Sequence, residues 1–230
     1  MGSLGSAIRT VLLTSPDVTR LASLPRSTVL FSQDQPADAA YFIDSGLVKL
    51  CRKNTEGNRI ILSICGADNL VGEEALADAN PTYYAAAETL TALTAFRIPR
   101  ATLLRTISEH TDFAGSLIRY VEQRKLSLAQ KVELLCLHDV QYRILHYLAE
   151  LSALVTPMED GTGYELPITQ LDLADLIGAT RETTSTTLNQ LERRGLVKLS
   201  RRRLTIPSPA LLRSATNVAS PNDARVASVT

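Results

Sequence analysis

Residues 180 to 190 read TRETTSTTLNQ. Arg181 and Glu182 stand first, and Thr183, Thr184, Ser185, Thr186 and Thr187 follow in an unbroken run. Hydroxyl and β-branched side chains are mediocre helix formers, because they lose rotamer freedom or compete for backbone hydrogen bonds. A helix carrying five of them in succession has a use for them. On a surface facing a nucleic acid, small side chains let the backbone approach, and hydroxyls bond phosphates or base edges. Arginine is the commonest bidentate partner of guanine O6 and N7, and a carboxylate accepts from cytosine N4. Arg181 and Glu182 could instead be solvated charges at a helix start, where Glu also suits the dipole. A carboxylate on a DNA-facing surface would repel phosphate unless it read a base, which favours the reading role. From Arg181 to Arg203 there are seven basic residues against Glu182 and Glu192, in a chain whose net charge is zero. A neutral protein with one basic end points to a polyanion-binding module joined to something else.

The flanking residues supply the elements that would position this chemistry. Thr169-x-x-Asp172 is a capping-box-like start for the helix QLDLADLI, and Gly178 can take the left-handed backbone that ends it. Thr180 caps the next helix, which runs to about Arg194 and stops at Gly195. Ala174 is small where two helices must cross. The segment LVKLSRRRLTIP then reads as two short strands around a basic turn, completing a winged helix-turn-helix. On its second helix Leu188 and Leu191 face the core together with Thr184 and Thr187, whose hydroxyls can bond back to the carbonyl four residues earlier. The opposite face carries Arg181, Glu182, Ser185, Thr186 and Asn189 at helical steps. With Thr169 and Thr180 at the helix starts and Arg201 and Arg202 in the wing, these residues form the candidate contact set for double-stranded DNA.

Upstream the texture differs. From about Leu24 to Ile98 short apolar runs alternate with turn residues, and NTEGN (54–58) reads as a hairpin turn. Many short strands at this spacing predict a β-barrel or β-roll. From about Ser108 to Leu135 a single helix is predicted, with Phe113, Leu117, Val121, Leu128, Val132 and Leu135 recurring as a stripe of heptad type. Such a helix is roughly 40 Å long, more than a small β-domain covers, so the stripe reads as a dimer seam rather than a face packed on its own domain. Arg124 interrupts the stripe, where it snorkels outward or meets an anion. Asp139 caps a further helix through about Leu154. The fold class is therefore α+β: an N-terminal arm (1–23), a jelly-roll-like β-roll sensor domain (24–107), a dimerisation helix (108–137), a winged helix-turn-helix domain (138–207) and a C-terminal tail that frays (208–230).

Composition narrows the function classes. Hydrophobic residues make up 45% of 230, ordinary for a globular protein. No stretch approaches the roughly 18 apolar residues of a membrane span, and the first residues are too weak for a secretory signal. A cytoplasmic protein is the expectation. Cys51, Cys65 and Cys136 form no CxxC pair and read as buried, reduced thiols. His110, His138 and His146 read as ordinary helix residues. Residues 1–109 contain no histidine, which argues against a cupin-like β-barrel enzyme with an appended DNA-binding domain and leaves no metal site predicted.

The order β-roll, long helix, winged helix-turn-helix resembles the Crp/Fnr family of bacterial transcription regulators. The resemblance spans roughly Leu24 to Leu212 and is carried by GLVKL (46–50), VGEEAL (71–76), LHDVQYRILHYLAEL (137–151) and ITQLDLADLIGATRETTSTTLNQLERRGLV (168–197). It implies a homodimer on an inverted-repeat operator, with Arg181 and Glu182 at a G·C-containing half-site core and Ser185 in a position the Fnr branch uses. The family often has another arginine where Thr186 stands. It also implies that the loop TPMEDGTGY touches RNA polymerase. At the sensor end Gly72 and Glu73 match the ribose-binding pair of the cyclic-AMP receptors. The phosphate-holding Arg-Ser positions are Tyr83 and Tyr84, however, and the adenine-contacting Thr-Ser pair is Leu128 and Ala129. A cyclic phosphate without its arginine loses a charge-assisted hydrogen bond, and an unpartnered Glu73 would repel it. Cyclic AMP is therefore disfavoured. The tyrosine pair could line a pocket for another ligand, with Arg124 holding an acidic group. The family's N-terminal cysteine cluster for iron–sulfur binding and its β-roll haem histidine have no counterpart here, so no cofactor is predicted.

Overall fold

The computed structural model describes residues 4–13, 15–77, 79–159, 163–200 and 203–219. The chain forms two compact units, Met1–Ala129 and Gln130–Thr230. In the first, two four-stranded antiparallel sheets make the predicted roll. One orders β1 (Thr19–Leu24), β8 (Leu93–Pro99), β3 (Ala39–Ser45) and β6 (Leu70–Val71). The other orders β2 (Val29–Phe31), β7 (Ala86–Thr89), β4 (Val48–Lys53) and β5 (Arg59–Cys65). NTEGN closes the β4–β5 hairpin: the Asn54 side chain accepts from the backbone N–H of Glu56 (3.1 Å) and Asn58 (2.9 Å).

Strand β3 is buried on both faces, and its two-residue period divides it between two cores. Ala39, Tyr41 and Ile43 point into the roll with Phe31, Val48, Leu50 and Tyr83. Ala40 and Phe42 point outward and are covered by three helices: α1 (Leu4–Val11), α2 (Arg100–Glu109) and the first part of α3 (Thr111–Leu137). Helix α1 delivers Leu4 and Ile8 to this outer core, with Leu12 just beyond its end, and Arg9 ties it down through Asp44 (2.7 Å) and Asp68 (3.1 Å). The N-terminal segment is thus part of the domain rather than an arm. The domain also begins before Leu24, because Thr19–Leu24 is an edge strand paired only with β8. Its side chains are largely exposed, so the strand carries no clear alternation.

The long helix departs from its sequence reading in two ways. It is preceded by α2 and a break at His110, whose extended backbone closes α2 by donating its N–H to Thr106 O, while Ala114 donates to His110 O. More consequentially, Phe113 (1% exposed) and Leu117 are not seam residues. They lie in the outer core against Phe42, Leu70 and Ile98 of their own domain, beside Tyr120. The neighbouring face of α3 is the open one: Ile118 (70% exposed), Val121, Leu128 and Val132 (60%) follow at helical steps. Leu135 is half-buried in the second unit, where its side chain lies against Gly178.

The second unit contains the end of α3 and α4 (Val140–Ser152), capped by Asp139 accepting from Tyr142 N–H at 2.8 Å. Strand β9 (Tyr164–Leu166) and helices α5 (Gln170–Ile177) and α6 (Arg181–Arg193) follow. Then come β10 (Lys198–Ser200), β11 (Arg203–Ile206) and α7 (Pro209–Ala219). Helix α7 packs on α4 and buries Leu212 where the sequence predicts a frayed tail; residues 220–230 lie outside the described residues. Cys51 and Cys65 are buried as expected, but Cys136 is exposed.

The placement of Phe113 has a measurable consequence. Phe113→Ala empties a fully buried ring site in one protomer's core and should cost about 3–5 kcal/mol in urea unfolding. A variant that unfolds like the parent but loses self-association would restore Phe113 to the seam.

Candidate nucleic-acid interface

Helices α5 and α6 are set by local cap chemistry and by burial of one face each. Thr169 begins α5 with a reciprocal capping box: Asp172 N–H donates to Thr169 Oγ1 (3.0 Å) and Thr169 N–H to Asp172 Oδ2 (3.4 Å). The Thr169 hydroxyl proton goes to the same carboxylate at 2.6 Å. In this geometry the Thr169 hydroxyl is engaged by Asp172, and Thr169 serves as the helix cap. Leu173, Ala174, Leu176 and Ile177 bury the inner face of α5. Gly178 ends it in the left-handed region (φ 63°), and a Cβ there would stand 2.8 Å from Leu135 Cδ2.

Two residues later Thr180 caps α6, accepting from Thr183 N–H at 3.2 Å, its hydroxyl 3.0 Å from that of Thr183. The run of hydroxyls then divides as the sequence indicates. Thr184 is fully buried and donates to Thr180 O (2.8 Å), while half-buried Thr187 donates to Thr183 O (2.9 Å). Leu188 and Leu191 complete the inner face. Arg181, Glu182, Thr186 and Asn189 are exposed, and Ser185 on the same side is half-buried. This face of the helix thus presents one guanidinium, one carboxylate, hydroxyls and an amide, a set able to bond base edges and phosphates.

The wing is an antiparallel pair, with Ser200 opposite Arg203 and Lys198 opposite Thr205, and β9 pairs with β11 on its other side. Glu192 of α6 accepts from Leu199 N–H at 2.7 Å, tying the helix to the wing. Arg203 pairs with Glu165 of β9, so the basic run is partly neutralised by a residue that the local charge count left out. Arg201 and Arg202, the proposed wing contacts, lie outside the described residues.

The second candidate site, at the sensor end, is brought together only in part. Glu73 opens the 3-10 turn Glu73–Leu76. Its Oε1 accepts from Arg124 Nε at 3.2 Å, so Glu73 is not unpartnered as the sequence suggested, while Oε2 is buried with no partner among the described residues. Arg124 Nη1 also donates to Ser63 Oγ (3.2 Å) and lies 3.1 Å from Cys65 Sγ. Burial disfavours the guanidinium charge, but Cys65 and Glu73 outweigh that and hold its pKa above the ordinary value. Burial pushes the Cys65 thiol up, against the opposing pull of Arg124. Tyr83 is packed inside the roll. It is 2% exposed, stacks on Phe31 with ring centroids 3.9 Å apart, and donates its hydroxyl to Ala39 O at 2.7 Å. Tyr84 instead is exposed under the Arg52 guanidinium, 4.1 Å from its ring centroid. Ser63 and Cys65 were missed, although their two-residue spacing on β5 was the available signal.

Two family profiles match the chain. The cyclic nucleotide-binding domain matches residues 21–110, and the Crp-like helix-turn-helix domain matches residues 142–215. A CRP-like cAMP-activated global transcriptional regulator of Mycobacterium tuberculosis is 29% identical over 76% of this chain and 78% of its own. A global nitrogen regulator of Synechocystis is 25% identical, over 81% and 84%. Among solved structures, FixK2 of Bradyrhizobium japonicum shares the fold at a TM-score of 0.72, 19% identical, with 86% of this chain and 96% of that one covered. With a cyclic nucleotide-binding domain and a Crp-like helix-turn-helix domain both matched, the chain belongs to the Crp/Fnr family of transcription regulators and carries that family's DNA-binding domain.

Proposed function

We propose that the protein works as a homodimer on an inverted-repeat operator and that its sensor domain is not set to read cyclic AMP. The observation that carries the DNA-reading part is the first turn of α6, where Arg181 and Glu182 stand exposed beside Thr186 and Asn189. In a two-fold dimer the two copies of α6 enter successive major grooves, with half-site centres about 34–36 Å apart. The exposed Ile118, Val121, Leu128 and Val132 supply the apolar face for an isologous helix seam. The loop from Thr156 to Tyr164 is the proposed contact for RNA polymerase, with Met158 exposed on it. No enzymatic role and no metal or haem cofactor are part of this reading, and it places the protein in the cytoplasm.

The reading of the sensor rests on two side chains. Tyr83, where the resemblance expects the phosphate-holding arginine, is spent on packing inside the roll, and Arg124 is engaged by Glu73. An incoming anion would have to separate that ion pair and would meet no spare cation from Tyr83 or Tyr84. A ligand of other chemistry, or no ligand, is the state this reading favours.

Three outcomes are expected. In binding selections on randomised half-sites, Arg181→Ala should lose about 1–3 kcal/mol and relax preference at one symmetric base pair, while Glu182→Ala should blur base choice without a uniform loss. Unchanged base preferences in both variants would mean that another element reads the operator. Ile118→Glu with Val132→Glu should sediment as a monomer that retains the parent's fold and loses operator binding; a persistent dimer would place the seam elsewhere. Calorimetry should find no cyclic AMP binding tighter than about millimolar, a level worth about 4 kcal/mol. Micromolar affinity with a matching gain in DNA affinity would reverse the assignment of the sensor.

A further inference from the structure

Lysine is rarely buried, because removing an ammonium from water is costly unless its donors are satisfied. Lys131, near the end of α3, is nevertheless only 6% exposed. Its Nζ donates to the backbone oxygen of Leu176 at 2.6 Å and lies 3.4 Å from the Tyr147 hydroxyl of α4 and 5.0 Å from that ring's centroid. A methionine would fill such a site at lower desolvation cost. The retained charge is therefore spent on what it touches. Leu176 and Ile177 close α5, and the carbonyls of a last helical turn have no intrahelical donor and carry the negative end of the dipole. Helix α5 has no basic residue of its own there. The two carbonyls are met from outside: Leu176 O by Lys131 of α3, and Ile177 O by Arg143 of α4, whose Nη1 donates at 2.7 Å.

We infer that Lys131 and Arg143 form a two-cation clamp on the carboxyl end of α5, and that this clamp sets the direction in which α6 presents its reading face. The inference rests on the reading of α6 as the DNA-contacting helix. After Ile177 only Gly178, Ala179 and Thr180 intervene before Arg181. Gly178 has its φ in the left-handed region and Leu135 against it, so the turn has little slack. A helix-end shift of a fraction of an ångström at Leu176 is passed to the Arg181 side chain, where hydrogen bonds to base edges tolerate little misplacement. Burial lowers the Lys131 pKa to about 8, with Glu150 opposing, so at neutral pH the ammonium still meets the carbonyl. Lys131 and Arg143 are positioning residues. They act through α5 and touch no DNA in this assignment.

The test uses the full-length protein with Lys131→Met and, independently, Arg143→Met, a half-buried position that the fold tolerates more readily. Each variant should remain folded by circular dichroism and dimeric in sedimentation. Each should lose about ten- to a hundredfold in operator affinity, the size of one charge-assisted hydrogen bond. The slope of log affinity against log salt should not change, because neither cation neutralises a phosphate. Amide resonances of Gly178, Ala179 and Thr180 should shift in both variants, and Arg143→Lys, which keeps a cation near Ile177 O, should recover most of the affinity. Parent-like affinity in both methionine variants would overturn the clamp. So would a loss accompanied by a salt slope shallower by about 0.9, which would make these residues phosphate contacts. Arg181→Ala measured alongside separates the two readings: an inert Arg181→Ala removes α6 as the reader, whereas inert Lys131→Met and Arg143→Met beside a weakened Arg181→Ala remove only the clamp.

Discussion

Helix α3 must bury side chains in each of the two units, and most of the architecture of each follows from that demand. Its 27 residues are too long for the roll alone. Phe113, Leu117 and Tyr120 cover the outward side chains of β3, while Lys131 and Leu134 are buried among the helices of the second unit. Helices α1 and α2 exist in the first unit largely to complete that outer core, which a single crossing helix could not close. The Tyr120 hydroxyl, which donates to Leu70 O and accepts from Leu70 N–H, fixes the register of α3 against β6.

Two cations of this helix, part-buried Arg124 and buried Lys131, are each engaged within their own unit. Arg124 lands on Glu73, Ser63 and Cys65 of the roll, and Lys131 lands on the closing carbonyl of α5. Neither charge is a cheap way to fill space, because each carries a desolvation cost that apolar packing would avoid. What they provide is direction. A guanidinium or ammonium with fixed acceptors allows one rotation of the helix, whereas leucines would tolerate sliding. The face beside them, with Ile118, Val121, Leu128 and Val132, carries no such constraint within the chain.

Local chemistry was the legible part of the sequence. The caps at Asp139, Thr169 and Thr180, the left-handed stop at Gly178 and the inward turn of Thr184 and Thr187 depend on residues within four positions of one another. Burial decided by distant partners was not legible. Both faces of α3 are apolar, so heptad spacing alone could not distinguish Phe113 and Leu117, which pack on β3, from Ile118 one residue on. The break at His110 carries neither Gly nor Pro, and β1 is an edge strand without alternation. Tyr83 and Tyr84 are adjacent in sequence, yet the irregular segment before β7 sends one into the roll and leaves the other in solvent. The Arg203–Glu165 pair joins strands that are far apart in sequence, so a count of nearby charges overstated the wing's free positive charge.

The threonine-rich helix α6 shows how these levels combine. By propensity α6 is weak, and its hydroxyls worsen the case by competing for its own carbonyls. Thr180 O receives both the Thr184 N–H (3.0 Å) and the Thr184 hydroxyl (2.8 Å). The helix therefore depends on tertiary support: Leu188 and Leu191 in the core, the Thr180 cap at one end, and Glu192 gripping Leu199 N–H at the other. A stronger helix former at Thr184 would place an apolar or longer side chain in a site that is fully buried, where volume is fixed. Threonine satisfies that site by bonding inward. The exposed half of the same run, Thr186 with its neighbours Arg181, Glu182 and Asn189, keeps small and polar groups on the open side. One composition thus meets two constraints, a tight inner face and an outer face that a nucleic-acid groove can approach, and the cost in helix propensity is carried by the rest of the domain.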